Sequence, residues 1–396
     1  MVRVGFRRLT AVAVGVAVPA ILLTACSSGS SGTSGAASSG VAANATGLPA
    51  GVPTLDQLFK GNATAPPTSS PPAAKGKNVW WISCGQQSQS CAAFAAAGKA
   101  AAEAIGWTFH IADGNLNVAN GYATAMRTAL AAHPDAIIED AFSCSVVQPE
   151  LQQAKQQGVP VLGLETTDCS DAGTGPSLFT IPMIYSKIYP GNKAWWTGWG
   201  QWSADFLIAD SGGHAKVITS FGVGDPQFTF LKAGFMKEFA KCSGCSIVAD
   251  VPWTVTDLAP NGPWVAGLRN ALIKNPDATY VWFPFDSPFA TSSGGVKAVL
   301  QSGSKAKVVA GIGSAAALDL IRSGQMYAEG VARDSAWESW AAIDELNRHF
   351  NHQASAPEGL GYVSITKSHN MPPNSGQDYQ TSVPFESLYK KAWGVG

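Results

Sequence analysis

The sequence predicts an α/β protein with two lobes, each built on a parallel sheet covered by helices. From residue 77 onward, short apolar runs rich in Val, Ile and Trp alternate with longer helical segments, a pattern typical of parallel strands joined by helices. A second series of the same kind begins near residue 194. Roughly 320 residues follow residue 76, and this length favours two cores over one.

Residues 1–25 have the order of an export signal. Three arginines precede an apolar run over residues 11–23, which is short for a transmembrane helix. The run ends in Leu-Thr-Ala-Cys, which resembles a bacterial lipoprotein lipobox, and the resemblance implies that Cys26 is lipid-modified and anchors the chain to the membrane. The alternatives are an ordinary signal peptide and an uncleaved anchor.

Residues 26–76 are predicted to form a flexible tether. They are rich in Ser, Gly, Ala and Pro, a composition that buries too little apolar surface to fold. Only residues 54–59 favour one amphipathic turn that docks on the folded part.

The overall charge argues against a nucleic-acid partner. Without the three arginines of the signal, 23 basic and 27 acidic residues remain, a net charge of −4, whereas nucleic-acid binding requires a basic face. Charged residues make up 13% of the chain and 13 residues are Trp, so uncharged and aromatic contacts are plentiful.

The cysteines predict disulfides. Seven are present, and setting Cys26 aside leaves six, an even number in an exported protein. Proximity in sequence favours the pairs Cys84–Cys91, Cys144–Cys169 and Cys242–Cys245, although six cysteines allow 15 pairings.

The first series contains four strands. Residues 79–82 form an aromatic strand, a polar turn follows over residues 83–90, and an alanine-rich segment to residue 104 has strong helix propensity. Further strands are predicted over residues 107–112, 136–139 and 160–164. Helices are predicted over residues 118–132 and 146–157, the second of which ends at Gly158. Residues 177–184 form a further extended run.

The second series begins with a helix over residues 194–210 in which Trp195, Trp199 and Trp202 share one face, a pattern that favours core packing. Strands are predicted over residues 216–221, 246–251, 279–283, 307–310, 326–331 and 362–366. Helices are predicted over residues 230–241, 265–275, 295–302 and 315–322. A last helix, capped by Asp334, extends to residue 350, and the chain ends in a Pro-rich tail.

Polar residues follow the predicted strands where a ligand would bind. In open α/β sheets, ligands bind outside the carboxyl ends of the strands. The loop over residues 85–90 follows the first strand and offers amides and hydroxyls, which donate and accept hydrogen bonds without a charge. This chemistry suits a small neutral polar molecule.

At this point the chain resembles a known family. The order of elements over residues 77–368 is similar to that of the type I periplasmic binding proteins, in particular the ribose-binding-protein-like solute-binding proteins of ABC importers. The landmarks are the polar loop after Ile82 and the segments Pro-Asp-Ala-Ile-Ile at 134–138, Ala-Lys-Gln-Gln-Gly-Val-Pro-Val at 154–161, Lys-Ala-Gly-Phe at 232–235 and Asn-Pro-Asp-Ala at 275–278.

The resemblance implies two Rossmann-like lobes joined by a three-segment hinge. The expected N-terminal lobe comprises residues 77–183 and 332–352, and the expected C-terminal lobe comprises residues 184–331 and 353–396. It further implies a monomer on the extracytoplasmic side of the cell membrane that closes on a sugar or sugar-like ligand and delivers it to an ABC permease, without enzymatic activity or a cofactor.

The resemblance also implies a set of ligand-binding positions. The first lobe contributes residues from the loops after its strands, namely Ser83, Gln87, Gln89, Ser90, Phe142 and Ser143. The second lobe and the crossover contribute Phe228, Thr229, Trp253, Asp286, Gly313 and Arg333. The sugar binders of the family usually have an arginine at the position of Thr229 and an aspartate at that of Gly313, so a neutral or partly aromatic polar ligand is the other expectation.

Other functions have weaker support in the sequence. A sensor module that reports to a membrane receptor would use the same fold, and an exported enzyme is a third candidate, although no G-x-S-x-G or H-E-x-x-H motif is present. The G-x-G-x-x-A run at 311–316 lies too late in the chain for a dinucleotide site. His349 and His352 lack a third metal ligand nearby, so no metal is expected.

Overall fold

The computed structural model describes residues 47–290 and 293–396. The proposed signal segment and Cys26 therefore lie outside the described residues. Within the described ranges, no helix combines the length and the apolar character needed to cross a bilayer.

The first lobe is a four-stranded parallel sheet with strand order β2-β1-β3-β4. Its strands are β1 (Asn78–Ser83), β2 (Thr108–Asp113), β3 (Ala136–Asp140) and β4 (Val161–Leu164). Its helices are α2 (Gln89–Ala104), α3 (Gly121–Ala131), α4 (Gln148–Gln157) and α5 (Cys169–Ala172). Strands β3 and β4 are buried at every position, as expected for strands covered on both faces.

The second lobe is a six-stranded sheet with strand order β10-β9-β8-β7-β5-β6, in which only β10 is antiparallel to its neighbour. Its strands are β5 (Lys216–Thr219), β6 (Ser246–Asp250), β7 (Tyr280–Trp282), β8 (Lys307–Ile312), β9 (Ala328–Ala332) and β10 (Val363–Thr366). Its helices are α6 (Asn192–Asp210), α7 (Pro226–Phe239), α8 (Pro263–Lys274), α9 (Ser287–Ala290), α10 (Gly295–Ser302) and α11 (Ala315–Ser323).

Helix α6 lies at the centre of the core, and its tryptophans 195, 199 and 202 are buried as predicted. It crosses α7 at unusually close range. A Cβ atom at Gly200 would lie 1.9 Å from the carbonyl oxygen of Leu231, and one at Gly234 would lie 2.0 Å from the carbonyl oxygen of Thr197. Only glycine allows the two helix backbones to approach this closely.

The long helix α12 (Ser335–Phe350) follows β9 and packs on the first lobe. Asp334 caps it by accepting a hydrogen bond from the backbone N–H of Trp337 at 3.1 Å. Midway along the helix, the hydroxyl of Ser339 donates to the carbonyl oxygen of Phe94 on α2 at 3.0 Å. The chain therefore returns to the first lobe directly after β9.

Residues 47–76, which were predicted to belong to a flexible tether, are folded onto the rest of the chain. Helix α1 (Leu55–Lys60) forms where one amphipathic turn was expected, with a capping box at Thr54. Beyond it, Asn62 accepts from the backbone N–H of Tyr362 at 2.7 Å, and Ser70 donates to Asp344 at 2.5 Å. Residues 62–74 are therefore packed against residues 359–362 and helix α12, to which they are hydrogen-bonded through backbone and side-chain groups.

The C-terminal tail also differs from the prediction. It contains helix α13 (Phe385–Trp393), which packs against α12 instead of the second lobe. Trp393 stacks on Trp340 with ring centroids 5.6 Å apart and donates its indole N–H to Asp344 at 2.6 Å. The segment 353–396 therefore contacts both lobes.

Candidate functional site

The carboxyl ends of the two sheets meet at the boundary between the lobes. Ser143, which follows β3, donates its hydroxyl to Oδ1 of Asp225 at 2.5 Å. Asp225 follows β5 and caps α7, since the same oxygen accepts from the backbone N–H of Gln227. This contact joins strand-end loops of opposite lobes, where the fold predicts a ligand site.

Arg333 occupies the centre of the boundary. It follows β9 at the crossover, and it forms a bidentate ion pair with Glu165, which follows β4 in the first lobe, with Nε–Oε1 and Nη2–Oε2 distances of 2.6 and 2.8 Å. Its Nε also lies 3.1 Å from Oε1 of Glu338. The guanidinium lies over the rings of Phe94 and Trp199, 4.9 and 5.4 Å from their centroids. This buried network fastens the two lobes together.

Burial changes the acidity of the carboxyl groups around Arg333. Burial raises the pKa of Asp140 to about 8, aided by the charge of Glu165 and opposed by the Trp81 indole N–H and by Arg333. Burial raises the pKa of Asp286 to about 6, opposed by hydrogen bonds from Ser314 and by Arg333. At neutral pH, Asp140 is therefore mostly a neutral acid, whereas Asp286 is mostly a carboxylate.

Several buried polar atoms near the boundary have no hydrogen-bond partner among the described residues. They include Oδ1 of Asp140, Oε2 of Glu139 and Nη1 of Arg333. Buried polar groups are normally paired. The unpaired groups are a donor on arginine and carboxyl oxygens that accept or, when protonated, donate, and a ligand carrying hydroxyl groups can satisfy both.

Aromatic rings surround the same region. Phe142 stacks on Tyr122 with centroids 4.0 Å apart, and Phe228 lies 4.9 Å from Trp253. Phe285 is half-buried, with its centroid 6.1 Å from that of Phe228. Its partly exposed ring offers an apolar face between the second-lobe aromatics and solvent.

The polar loop after β1 is bonded both within itself and to the residues at the end of β2 and after it. Ser83 is fully buried and accepts from the side-chain amide of Gln86 at 2.7 Å. Gln87 is exposed and donates to Asn115 at 3.1 Å, while Ser90 lies 3.3 Å from the hydroxyl of Ser88. Gln89 is exposed at the start of α2. Gln86, which was not among the predicted ligand positions, is therefore the amide that bonds Ser83.

The second-lobe positions divide into buried and exposed sets. Asp286 is buried and accepts from the backbone N–H of Ser314 at 2.9 Å. Gly313 is buried beneath the tail, because its carbonyl oxygen accepts from the backbone N–H of Tyr379 at 2.8 Å. Thr229, by contrast, is exposed on α7. The structure thus groups Ser143, Asp286 and Arg333 at buried positions and leaves Gln87, Gln89 and Thr229 exposed to solvent.

Two acidic residues at the boundary were not predicted from the sequence. Glu165 directly follows the apolar strand β4, and Asp225 directly precedes a proline that begins α7. The sequence did contain a signal for each of them: Glu165 is a charged residue at the end of a buried strand, and Asp225 is a residue type that commonly caps helices. Their partners, Arg333 and Ser143, lie too far away in the sequence to be read from it.

Positive backbone φ angles occur at the ends of these strands, as well as in the segment after β2 that contains Asn115, Leu116, Asn117, Ala119 and Asn120. Positive φ angles occur at Ala141 (64°), Glu165 (50°) and Ile312 (131°). These residues follow β3 and β4 and end β8. Such conformations are costly for residues with a Cβ and are often retained at functional sites, so they support the choice of this boundary.

Three disulfides have the predicted pairing. Cys84–Cys91 and Cys144–Cys169 brace the loops after β1, β3 and β4, whereas Cys242–Cys245 follows α7. Cys144 and Cys169 also lie close to Asp168 in an arrangement that could hold a metal ion. Because their sulfurs are bonded to each other, they offer no thiolate to a metal.

Comparison with known proteins identifies the family. The sequence matches the family described as "periplasmic binding protein domain" over residues 79–354. No curated protein sequence matches the chain significantly.

Solved structures share the fold at low sequence identity. A glucose-galactose binding protein from Geobacillus stearothermophilus is 16% identical, with a TM-score of 0.61 over 74% of this chain and 98% of that one. An ABC transporter solute-binding protein from Agrobacterium vitis, bound to α-D-tagatopyranose, is 22% identical, with a TM-score of 0.59 over 77% and 99%. A periplasmic ribose ABC transporter protein from Conexibacter woesei is 20% identical, with a TM-score of 0.57 over 75% and 94%.

The two-lobed α/β architecture and the family match agree with the fold predicted from the sequence. They also agree with the prediction that the chain is a binding protein and not an enzyme. The chain belongs to the periplasmic binding protein domain family and has the type I fold.

Proposed function

We propose that this protein is a lipid-anchored, extracytoplasmic solute-binding protein that closes on a sugar or sugar-like molecule and delivers it to an ABC-type permease. It acts as a monomer and holds the ligand between its lobes without changing it chemically. The lipid on Cys26 would keep the protein at the membrane surface, close to the permease.

The observation that carries this proposal is the position of Arg333. The residue lies at the crossover between the lobes, is paired with Glu165 of the first lobe and retains an unpaired Nη1. Oδ1 of Asp140, whose pKa is raised by burial, is also unpaired. A ligand that bonds both atoms would contact groups carried by both lobes.

The chemistry of the boundary suits hydroxyl groups. A sugar hydroxyl both donates and accepts, so it can accept from Arg333 and pair with a carboxyl group such as Asp140 or Asp286. The half-buried ring of Phe285 offers an apolar face for the C–H side of a pyranose. Proteins of similar structure were solved with α-D-tagatopyranose, D-allose and allitol bound, which supports polyols as the first ligands to test.

Closure follows from contacts with both lobes. A ligand shifts a conformational equilibrium only by its difference in affinity for the two states. Because residues of both lobes approach each other at Ser143 and Asp225, a ligand bound beside them has more partners in the closed form than in the open form. The closed form would be the form that the permease recognises.

The test is a thermal-shift screen of residues 47–396 against pentoses, hexoses, sugar alcohols, amino acids and nucleosides, followed by calorimetric titration of any compound that stabilises the protein. A ligand at a hundred times its dissociation constant adds about 2.7 kcal/mol of stability. Asp140→Asn should weaken binding at least tenfold. The control is Asp277→Asn, which alters an exposed carboxylate paired with Lys216. Equal affinity in both variants would exclude Asp140 from the site, and failure of every polyol to bind would refute the sugar assignment.

Anchoring needs a separate test. Cys26→Ser should move the protein from the membrane fraction to the soluble fraction of the producing bacterium. Metabolic labelling with a fatty-acid analogue should label the wild-type protein and not the variant. Membrane association that survives the substitution would refute the lipid anchor and leave an uncleaved signal segment as the explanation.

A further inference from the structure

The C-terminal residues form a connection between the lobes in addition to the hinge. Residues 372–379 lie on the second lobe. Asp378 accepts from the backbone N–H of Ala315 at the start of α11 at 2.7 Å, and the backbone N–H of Tyr379 donates to Gly313 at 2.8 Å. Upstream, the side chain of Ser375 donates to Asp319 at 2.7 Å. This part of the tail is therefore anchored to β8 and α11.

The next residues lead to the first lobe. The backbone N–H of Thr381 donates to Oδ2 of Asp334 at 2.8 Å, at the beginning of α12. Helix α13 then covers one face of α12, with Phe385, Tyr389 and Trp393 buried. The hydroxyl of Tyr389 donates to the buried Glu358 at 2.5 Å. Burial of these large side chains removes apolar surface from water, so this end of the tail is firmly held.

The segment between the two anchors is loosely packed. Residues 380–383 lie between two cavities of about 510 and 360 Å³ that both extend to Asp334 and Thr381. Gln380 is exposed, and the segment has no regular secondary structure. The hydrogen bond from Thr381 to Asp334 is the one contact of this segment described above, so the segment can straighten by losing that bond while the contacts of Tyr379 and Phe385 remain.

We propose that residues 378–393 act as a strap that limits how far the lobes open. Tyr379 is bonded to the second lobe and Phe385 is packed on the first. The six peptide units between them can span roughly 20 Å when fully extended. Opening beyond that distance would require one of the anchors to break, whereas smaller movements only straighten the segment.

The strap passes beside the crossover from β9 to α12, since Asp334 accepts hydrogen bonds from both Thr381 and Trp337. It ends elsewhere, at Gly313 on the second lobe and at the ring of Trp337 on α12. The lobes are therefore connected by this strap as well as by the chain segments that cross between them. The consequence is a restricted open state, in which less reorganisation is needed for closure. This inference shares the assumption of lobe movement with the proposed function, but it needs no ligand to be tested.

The test lengthens the strap and measures the distance between the lobes. Six Gly/Ser residues are inserted between Ser382 and Val383, which adds up to roughly 20 Å of reach and leaves every anchor residue in place. Donor and acceptor dyes are placed by non-canonical amino acids at positions 118 and 255, which are 61% and 63% exposed in the two lobes. The matched control carries the same insertion after Gly303, in an exposed loop of the second lobe.

Single-molecule energy transfer is then recorded without ligand. We expect the strap insertion to add a population with a distance at least 5 Å longer, and the control insertion to leave the distribution of the wild-type protein unchanged. An unchanged distribution in a strap variant that melts at the wild-type temperature would overturn the proposal. A second measurement needs no variant: amide hydrogen exchange of the wild-type protein should show slow exchange at Tyr379 and Thr381, and exchange there as fast as at exposed loops would also overturn it. A failure to bind sugars affects neither result.

Discussion

Replacement of Arg333 by methionine should strongly destabilise the protein. The substitution removes the guanidinium that pairs with Glu165 at 2.6 and 2.8 Å and lies 3.1 Å from Glu338. The side chains of Arg333, Glu165 and Glu338 are only 4%, 5% and 0% exposed, so neither acid can recover its solvation. Breaking a buried pair by removing one partner costs about 3–5 kcal/mol.

This loss is large compared with the total stability of a folded domain, about 5–15 kcal/mol. It should be measured by urea denaturation of residues 47–396 at pH 7, followed by tryptophan fluorescence. The matched control is Lys216→Met, because Lys216 pairs with Asp277 at a similar distance of 2.7 Å while the two side chains are 47% and 63% exposed. Surface pairs contribute about 0–1 kcal/mol, so the control should remain within 1 kcal/mol of the wild-type protein.

The double variant Arg333→Met with Glu165→Gln separates the pair from its surroundings. Removal of both partners leaves no unpaired charge at position 165, so the double variant should be more stable than Arg333→Met alone. A coupling energy of at least about 2 kcal/mol is expected for residues in direct contact within such a network. Equal losses in Arg333→Met and Lys216→Met, or a coupling energy near zero, would refute the conclusion that this ion pair holds the lobes together.

Three further predictions concern packing, acidity and the strand-end loops. Gly200→Ala places a Cβ 1.9 Å from a carbonyl oxygen of α7, so it should cost at least about 1–3 kcal/mol, and a circular-dichroism melt at the wild-type temperature would contradict it. Burial beside Glu238 raises the pKa of Asp205 to about 8, so the contribution of Asp205 to stability is full below pH 4 and is lost as the pH rises through 8. Asp205→Asn should therefore flatten the dependence of the urea midpoint on pH between 5 and 9. An unchanged slope would count against this role of Asp205. Replacement of Cys84 and Cys91 by serine should weaken binding of the sugar found in the screen at least fivefold, whereas replacement of Cys242 and Cys245 should not. Equal affinities of the two variants would show that the Cys84–Cys91 disulfide does not position the loop after β1.

The sequence predicted those features that depend on local pattern. Alternation of apolar runs and helical segments indicated both sheets, and the residues that follow β1, β3 and β4 were correctly placed at strand ends. The disulfides could be predicted because each joins cysteines close in sequence or after neighbouring strands. The spacing of apolar residues and the separation of cysteines along the chain are properties of the sequence itself, so they can be recognised without knowledge of the folded structure.

The features that were missed depend on contacts distant in sequence. Helix α13 has nine residues, too few to be stable alone, and it forms because Trp340 and Asp344 of α12 provide a partner for its buried face. The pairing of Arg333 with Glu165 spans 168 positions. No pattern within one segment reveals such a pair, and the sequence therefore indicated the edge of each sheet but not how the two edges meet.

The position of Arg333 connects binding to lobe movement under the proposed function. The residue directly follows β9 and precedes the cap of α12, so it belongs to the chain segment that must bend when the lobes move. Its Nε and Nη2 are held by Glu165 of the first lobe, while Nη1 has no partner among the described residues. A ligand that accepts from Nη1 would stabilise the geometry in which the other two nitrogens are paired. Loss of the Glu165 pair should therefore weaken ligand binding as well as stability, and Glu165→Gln is expected to raise the dissociation constant even at temperatures where the variant is fully folded.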